Sequence, residues 1–216
     1  MVDRLRMKDI AYNVIKNKIM SNEFVSGQYL EEKYLCELVG VSRTPIREAI
    51  NQLEKDGFIE NRANKGIFVT TIDIKKSQEL FQARMYLEPT ILELAINNID
   101  SKELELFVNR TKEYIDSEDF QALNEIDYEF HNYIHSCCAN SVLKEFANKL
   151  QDQFQRIRTL DYYNDKRILG GANEHLKIIE EIKHKNIENA KLEMKNHILS
   201  TQKYYYKSFL ESMWSN

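Results

Sequence analysis

Residues 35–69 read LCELVGVSRTPIREAINQLEKDGFIENRANKGIFV, and this stretch decides the fold of the first part of the chain. A short helix over residues 31–39 is predicted to end at Gly40, because glycine readily adopts the left-handed conformation that closes helices. A second helix begins near Ser42 or Thr44, either of which can cap it. Its apolar residues recur at i, i+3, i+4 and i+7 and therefore form one buried face: Ile46, Ala49, Ile50 and Leu53.

Two β-like segments, residues 58–60 and 67–70, follow the second helix, which is predicted to end at Gly57. Two helices joined by a tight turn and followed by a hairpin indicate a winged helix-turn-helix. The second helix of this motif enters the major groove of DNA and offers its N-terminal residues to base edges. The alternative is a small helical domain with a basic helix end. The predicted DNA-binding residues of this stretch are Ser42, Arg43, Thr44, Arg47, Lys65 and Gly66.

The segment VSRTPIREAINQLEKDGFIENRANKGIFV resembles the signature of the GntR family of bacterial transcriptional regulators, and the likeness extends over residues 27–70. One departure is Ser26-Gly27, where the family usually has Pro-Gly. The resemblance implies that Lys33, near the start of the first helix of the motif, contacts the DNA backbone.

The composition predicts a mainly α protein, because only 6 Gly and 2 Pro occur in 216 residues. No apolar run approaches the length of a membrane span, and the N-terminus lacks the apolar core of a signal peptide. Three cysteines without metal-like spacing suggest the reducing cytoplasm. Residues 1–72 carry 11 Lys and Arg against 10 Asp and Glu, while residues 73–216 carry 19 against 24. DNA affinity should therefore rest on few phosphate contacts per chain, which dimerisation would double.

Residues 1–72 are predicted to form the winged helix-turn-helix domain, and residues 73–216 a bundle of six helices. The second part resembles the FCD ligand-binding domain of the FadR subfamily of GntR regulators, through LFQARMYLEP, EIDYEFHNYIHSCCANSVL and EHLKIIEEIKHKNIENAKLEMKNHI. Six helices fit the VanR-like group. The resemblance implies an effector-binding and dimerisation domain.

Asp127 and His131 lie four residues apart on the apolar face of one predicted helix, and His175 and His197 lie on the apolar stripes of two others. A buried carboxylate is costly unless it is compensated. One carboxylate and three imidazoles suit a divalent transition metal such as Zn, Ni or Mn. In metal-binding FCD domains an Asp-x3-His motif, a later Glu-His pair and a last-helix histidine carry the ligands. The alternative is an ion pair between Asp127 and His131, with the other histidines satisfied in the core.

Arg84 matches an arginine of the FCD family and is predicted to attract a carboxylate effector. An ion pair with Glu88, four residues on, is the alternative. Arg156 and Arg158 match a basic patch in the family and are further candidates for the same contact.

Together these patterns predict a metal-containing, effector-responsive bacterial transcription regulator. It would bind double-stranded DNA at a pseudo-palindromic operator as a homodimer, with a small organic acid as effector. The competing hypotheses are a direct metal-responsive regulator and a metal-dependent enzyme, in which an open metal position activates water. No residue is clearly placed as a general base, and a DNA-binding module precedes the bundle.

Overall fold

The computed structural model describes residues 2–158 and 164–214. In the first part of the chain its elements are α1 (Val2–Met20), β1 (Tyr29–Leu30), α2 (Glu32–Val39), α3 (Arg43–Lys55), β2 (Ile59–Arg62) and β3 (Gly66–Val69). These are followed by α4 (Ile74–Ala95), α5 (Ser101–Asp116), α6 (Phe120–Cys137), α7 (Ser141–Arg158), α8 (Asp165–Lys183) and α9 (Ile187–Trp214).

The chain divides into two compact units. The first contains the residues up to Ser77 together with the end of α7, and the second contains the remainder. This boundary lies in the first turn of α4, and the division into domains of residues 1–72 and 73–216 stays a prediction.

The first unit is a winged helix-turn-helix, as the sequence predicted. Helix α3 packs against α1, α2 and β2. Its buried face is the predicted one, Ile46, Ala49, Ile50 and Leu53. Gly40 caps α2 in the left-handed conformation, with φ of 73°.

The three strands form an antiparallel sheet in the order β1-β3-β2. Strands β2 and β3 make the wing, and Ile59 pairs with Val69 while Arg62 pairs with Gly66. Strand β1 was not predicted from the sequence, and Tyr29 pairs with Phe68 there. Helix α3 ends at Lys55 rather than at Gly57, which instead has φ of 78° in the turn leading to β2.

The second unit is all α in the part of the chain that the structure describes, so the predicted helical bundle is confirmed. Helix α6 packs against α5 and α8, and α8 packs against α9. Asp100 and Asp119 cap α5 and α6 through their side chains. The cap of α8 is Asn164, and its side chain accepts a hydrogen bond from the Arg167 amide. The packing of α6, α8 and α9 brings the polar residues of their inner faces together.

Candidate metal centre and nucleic-acid interface

The N-terminal end of α3 and the wing present the predicted DNA-binding residues to solvent. Ser42 holds the N-cap position in extended conformation, and its side chain makes no capping hydrogen bond to the described helix. The side chains of Lys33, Ser42, Arg43, Thr44, Arg47 and Lys65 are exposed, and Gly66 is half-buried. A helix end of this charge, free of a side-chain cap, can approach the edges of DNA bases.

Glu32, at the start of α2, contacts both arginines of α3. Its Oε2 accepts a hydrogen bond from Arg47 Nε at 2.9 Å, and its Oε1 lies 3.9 Å from Arg43 Nε. The hydrogen bond to Glu32 raises the pKa of Arg47, so that guanidinium is always charged. A groove of about 470 Å³ lies between α3 and the wing, and both Glu32 and Arg47 line it.

Gly66 begins β3 at the tip of the wing, with φ of 98°. A β-carbon at this position would lie 2.6 Å from Cε2 of Tyr29. The backbone conformation therefore favours glycine here, and an added β-carbon would require the Tyr29 ring to shift.

The four predicted metal ligands meet in the core of the second unit. Helix α6 supplies Asp127 and His131, α8 supplies His175, and α9 supplies His197. All four are buried, and one ligand atom from each lies within 4.8 Å of the others. The four residues, which the sequence placed on the apolar stripes of three separate helices, therefore lie close together in space.

The distances within this cluster are those of ligands around a single small ion. His175 Nε2 lies 3.4 Å from His197 Nε2 and 3.5 Å from Asp127 Oδ2. Two nitrogens bound to zinc at about 2.1 Å are about 3.4 Å apart when the angle between them is tetrahedral. The donor set of three imidazoles and one carboxylate also suits zinc, nickel or manganese. The residues present therefore fit a divalent metal.

Glu174, on α8, determines the orientation of His197. Its Oε2 lies 2.8 Å from His197 Nδ1, so that Nδ1–H donates to the carboxylate and Nε2 faces His175. Arg167, two turns earlier on α8, donates to Oε1 of Glu174 at 3.0 Å and is itself buried. A metal-binding histidine commonly donates the N–H of its other ring nitrogen to a carboxylate. This hydrogen bond fixes the tautomer of the histidine and raises the basicity of the nitrogen that binds the metal.

Glu88, on α4, joins a second group of buried residues to the cluster. Its Oε2 lies 3.3 Å from His131 Nδ1 and 3.0 Å from His135 Nε2. Its Oε1 accepts a hydrogen bond from Arg84 Nε at 3.1 Å. Glu88, His131 and His135 also lie within ligand distance of one another, but the Arg84 guanidinium on Glu88 supplies the positive charge that a cation would bring.

Burial and charge act in opposite directions on this second group. Burial alone would raise the pKa of Glu88, but the neighbouring side chains of His135, His131 and Arg84 outweigh it and hold that pKa well below its usual range. Burial lowers the pKa of His131, and the neighbouring Arg84 lowers it further, although Glu88 opposes both. His131 is therefore neutral near pH 7, which is the form that binds a metal.

Arg84 lies beside the cluster and makes the ion pair that was the alternative to effector binding. Its side chain is 1% exposed. Its Nη2 lies 3.3 Å from His131 Nε2, and its guanidinium carbon lies 3.9 Å from the centre of the Phe154 ring. Arg84 is thus a charged group adjacent to the four ligands.

The other basic candidates lie elsewhere. Arg156 belongs to the first unit, where it donates to Oγ1 of Thr70 at 2.8 Å and to the Thr70 carbonyl at 2.6 Å. Burial lowers the pKa of Arg156 to about 10. Arg158 is buried at the end of the same helix.

Glu174 was predicted only as the first residue of the Glu-His pair, without a role of its own, and Arg167 was not predicted as part of the site. Glu174 precedes His175 directly, and Arg167 is seven residues earlier on the same helix face, so the spacing carried a signal. The contact of Glu174 with His197, 23 residues later, depends on the pairing of α8 with α9 and has no local sequence pattern.

Comparison with known proteins gives two family matches. The FCD domain family matches residues 79–200, and the family described as bacterial regulatory proteins, gntR family, matches residues 8–69. The HTH-type transcriptional regulator YdhC of Bacillus subtilis (strain 168) is 32% identical over 185 residues, which are 83% of this chain and 82% of YdhC.

Two solved structures share the fold. McbR/YncC of E. coli superimposes with a TM-score of 0.81 at 18% identity, over 94% of this chain and 98% of that one. The metal-free FCD domain of the transcriptional regulator TM0439 gives a TM-score of 0.59 at 21% identity, over 65% of this chain and 99% of that one.

Proposed function

The chain belongs to the GntR family of bacterial transcriptional regulators and carries an FCD domain, and from this we propose that it is a metal-containing regulator that responds to a small organic acid. It is a DNA-binding regulator and not an enzyme, since its family and its relatives are transcriptional regulators. No helix in the described ranges is long and apolar enough to cross a membrane. We place its action in the bacterial cytoplasm, where the DNA is.

The observation that carries the metal proposal is the convergence of Asp127, His131, His175 and His197 within 4.8 Å in a buried position. Burial of one carboxylate and three imidazoles together removes four metal-binding groups from water, and a divalent ion bound by all four would offset that cost. Glu174 contacts Nδ1 of His197 and Glu88 contacts Nδ1 of His131, which leaves Nε2 of each histidine as the metal-binding nitrogen and also supports a metal site.

The effector proposal rests on charge. A divalent ion with one carboxylate ligand leaves a net positive centre, and the ion pairs of Arg84 with Glu88 and of Arg167 with Glu174 add no net charge. A small carboxylate would be attracted to such a centre. We propose that the carboxylate reaches the ion and contacts Arg84 through its Nη nitrogens.

The assembly proposal is a homodimer on a pseudo-palindromic operator. Each chain offers one recognition helix with few basic residues, and helix-turn-helix proteins bind inverted half-sites as dimers. Sedimentation equilibrium of the full chain should give twice the monomer mass of 25.6 kDa. A monomer at micromolar concentration would contradict this proposal.

Elemental analysis tests the metal proposal directly. Protein purified without chelator should contain one divalent ion per chain, and the double substitution His175→Ala with His197→Ala should remove it. The matched control is His184→Ala, since His184 is an exposed residue at the end of α8 that pairs with Glu180. A wild-type content near zero that zinc, nickel and manganese all fail to restore would overturn the proposal.

Two titrations of operator binding by the wild-type protein distinguish an effector-responsive regulator from a direct metal sensor. Operator binding is titrated first with metal and then, at saturating metal, with small organic acids. An effector-responsive regulator changes its DNA affinity in the second titration. A change in the first titration alone would identify a metal sensor.

A further inference from the structure

The two arginines proposed to read DNA share one acidic neighbour. Glu32 opens α2, and its side chain is 25% exposed, whereas those of Arg43 and Arg47 are 72% and 65% exposed. Glu32 accepts a hydrogen bond from Arg47 Nε at 2.9 Å and lies 3.9 Å from Arg43 Nε. A carboxylate therefore lies at the centre of the surface that is proposed to contact DNA, which is itself negatively charged.

The hydrogen bond engages one edge of the Arg47 guanidinium. Because Glu32 takes the Nε–H, the edge formed by Nη1 and Nη2 stays available for the O6 and N7 atoms of a guanine. A long side chain that is already held in its binding geometry loses less conformational entropy when it contacts the base. Glu32 thus prepares Arg47 for a two-bond contact with a base.

The charge of Glu32 also disfavours DNA that lacks the right bases. A carboxylate close to DNA repels phosphates on every sequence, and this cost is recovered only where both arginines find base acceptors. Specific recognition commonly combines such a repulsive element with attractive contacts. Removal of the carboxylate should therefore strengthen non-specific binding while it weakens the preference for the operator.

We propose that Glu32 is a specificity-determining residue, which orients Arg47 and Arg43 for base contacts and penalises DNA without those bases. This inference rests on the proposed reading of DNA by the two arginines. It assigns the discrimination between sequences to a residue that need not touch a base itself.

The test compares affinities for two DNA duplexes at one fixed salt concentration by fluorescence anisotropy. One duplex is selected from random-sequence DNA by the wild-type full-length protein, and the other is its shuffled counterpart. The variants are Glu32→Ala, which removes the hydrogen bond and the charge, and Glu32→Gln, which removes the charge and keeps an acceptor. Glu31→Ala and Glu31→Gln are matched controls, because Glu31 is the exposed neighbour at the same helix start.

The ratio of the two affinities should fall about tenfold for Glu32→Ala, since a two-bond contact with a base contributes about 1–3 kcal/mol of discrimination. It should fall less for Glu32→Gln and stay within about twofold for the Glu31 controls. Part of the fall should come from tighter binding to the shuffled duplex.

The outcomes separate this inference from the proposed function. If the wild-type protein selects a sequence and both Glu32 variants keep the wild-type ratio, Glu32 has no role in specificity. If the wild-type protein selects no sequence, or if Arg47→Ala binds the selected duplex as well as wild type, the proposed DNA reading fails and the inference with it. Circular dichroism of each variant verifies that the helices are intact.

Discussion

The hydrogen bond between Glu174 and His197 shows how a single side chain can set the chemistry of the buried cluster. It keeps the proton on Nδ1 and turns the lone pair of Nε2 toward His175. Arg167 in turn holds Glu174, and it also donates to the Thr201 hydroxyl of α9 at 3.0 Å. The orientation of one imidazole is thus fixed by groups on two helices.

Glu174→Gln should lower metal affinity about 10–100-fold, the usual effect of losing an outer carboxylate. The glutamine has the same shape, so the four ligands stay in place while His197 loses its charged partner. Competition with a chelator of known affinity measures the change. Glu180→Gln, an exposed substitution on the same helix, is the control. Equal affinities of the two variants would contradict an orienting role of Glu174.

Arg43→Ala and Arg47→Ala should each weaken operator binding without changing the helical content. Each base-reading arginine contributes about 1–3 kcal/mol, and a symmetric dimer loses two. Lys65→Ala in the wing should weaken binding evenly across sequences and reduce its salt dependence. Anisotropy titrations at two salt concentrations distinguish the two behaviours. Lys55→Ala, at the opposite end of α3, is the control.

The wing illustrates what one element requires from its sequence. Its tip combines Asn64 at φ of 59° with Gly66 at φ of 98°, and Tyr29 of β1 packs directly over the glycine. Arg62 also lies across the ring of Phe68, with 4.4 Å between the guanidinium carbon and the ring centre. These contacts join β1, β2 and β3 to one another.

Gly66→Ala should destabilise the first unit by more than Gly40→Ala. Both positions have positive φ, which costs an alanine about 1–2 kcal/mol. A β-carbon at Gly40 meets open space, whereas at Gly66 it clashes with Tyr29. Thermal unfolding measures both changes, and Gly40→Ala serves as the control. If Gly66→Ala proved no more destabilising than Gly40→Ala, Tyr29 would have to move at no cost.

The elements that the sequence predicted well are those with strong periodicity and clear ends. Helix α3 has a regular apolar stripe, and α2 stops at a glycine, so both were located within two residues. Strand β1 could not be predicted, since two residues carry no alternation and their pairing with β3 is a tertiary contact. Asn164 and its neighbour Asp165 are both residue types that cap helices, so the sequence alone does not determine which of them caps α8.

The inward position of the four proposed ligands could also be predicted from the sequence, because the apolar stripe of a helix shows which residues face the core. The contacts that neighbouring carboxylates make with these ligands could not be predicted in this way. Glu88 was considered only as a partner of Arg84, yet it also contacts His131 and His135 on α6. Such contacts arise from helix packing between distant parts of the chain, which periodicity does not specify.

At the scale of the whole molecule, the bound ion should make stability depend on pH and on metal. Protons compete with the metal for the histidines, so metal affinity should fall as the pH drops through about 6.5. Burial lowers the pKa of His131, so this ligand resists protonation more than an exposed histidine does. Calorimetric metal titration across this pH range measures the decrease. Affinity that rises toward acid pH would contradict the assignment of histidine ligands.

Metal should also raise the free energy of unfolding, by about 2.7 kcal/mol when its concentration is 100 times the dissociation constant. Chelation of the wild-type protein should therefore lower the melting temperature, whereas chelation of the His175→Ala, His197→Ala double variant should not. Differential scanning calorimetry with and without chelator provides the comparison. Equal shifts in both proteins would place the stabilising ion somewhere else.

The order of the cluster residues along the chain has a consequence for folding. His131 and His175 are separated by the whole of α7, and His197 follows on the next helix. An ion bound by all of them would bridge two successive segments of the folded chain, and it has no such site in the unfolded chain. Separation of α8 or α9 from α6 would therefore require release of the ion. Hydrogen exchange should accordingly slow most in these three helices when metal is added.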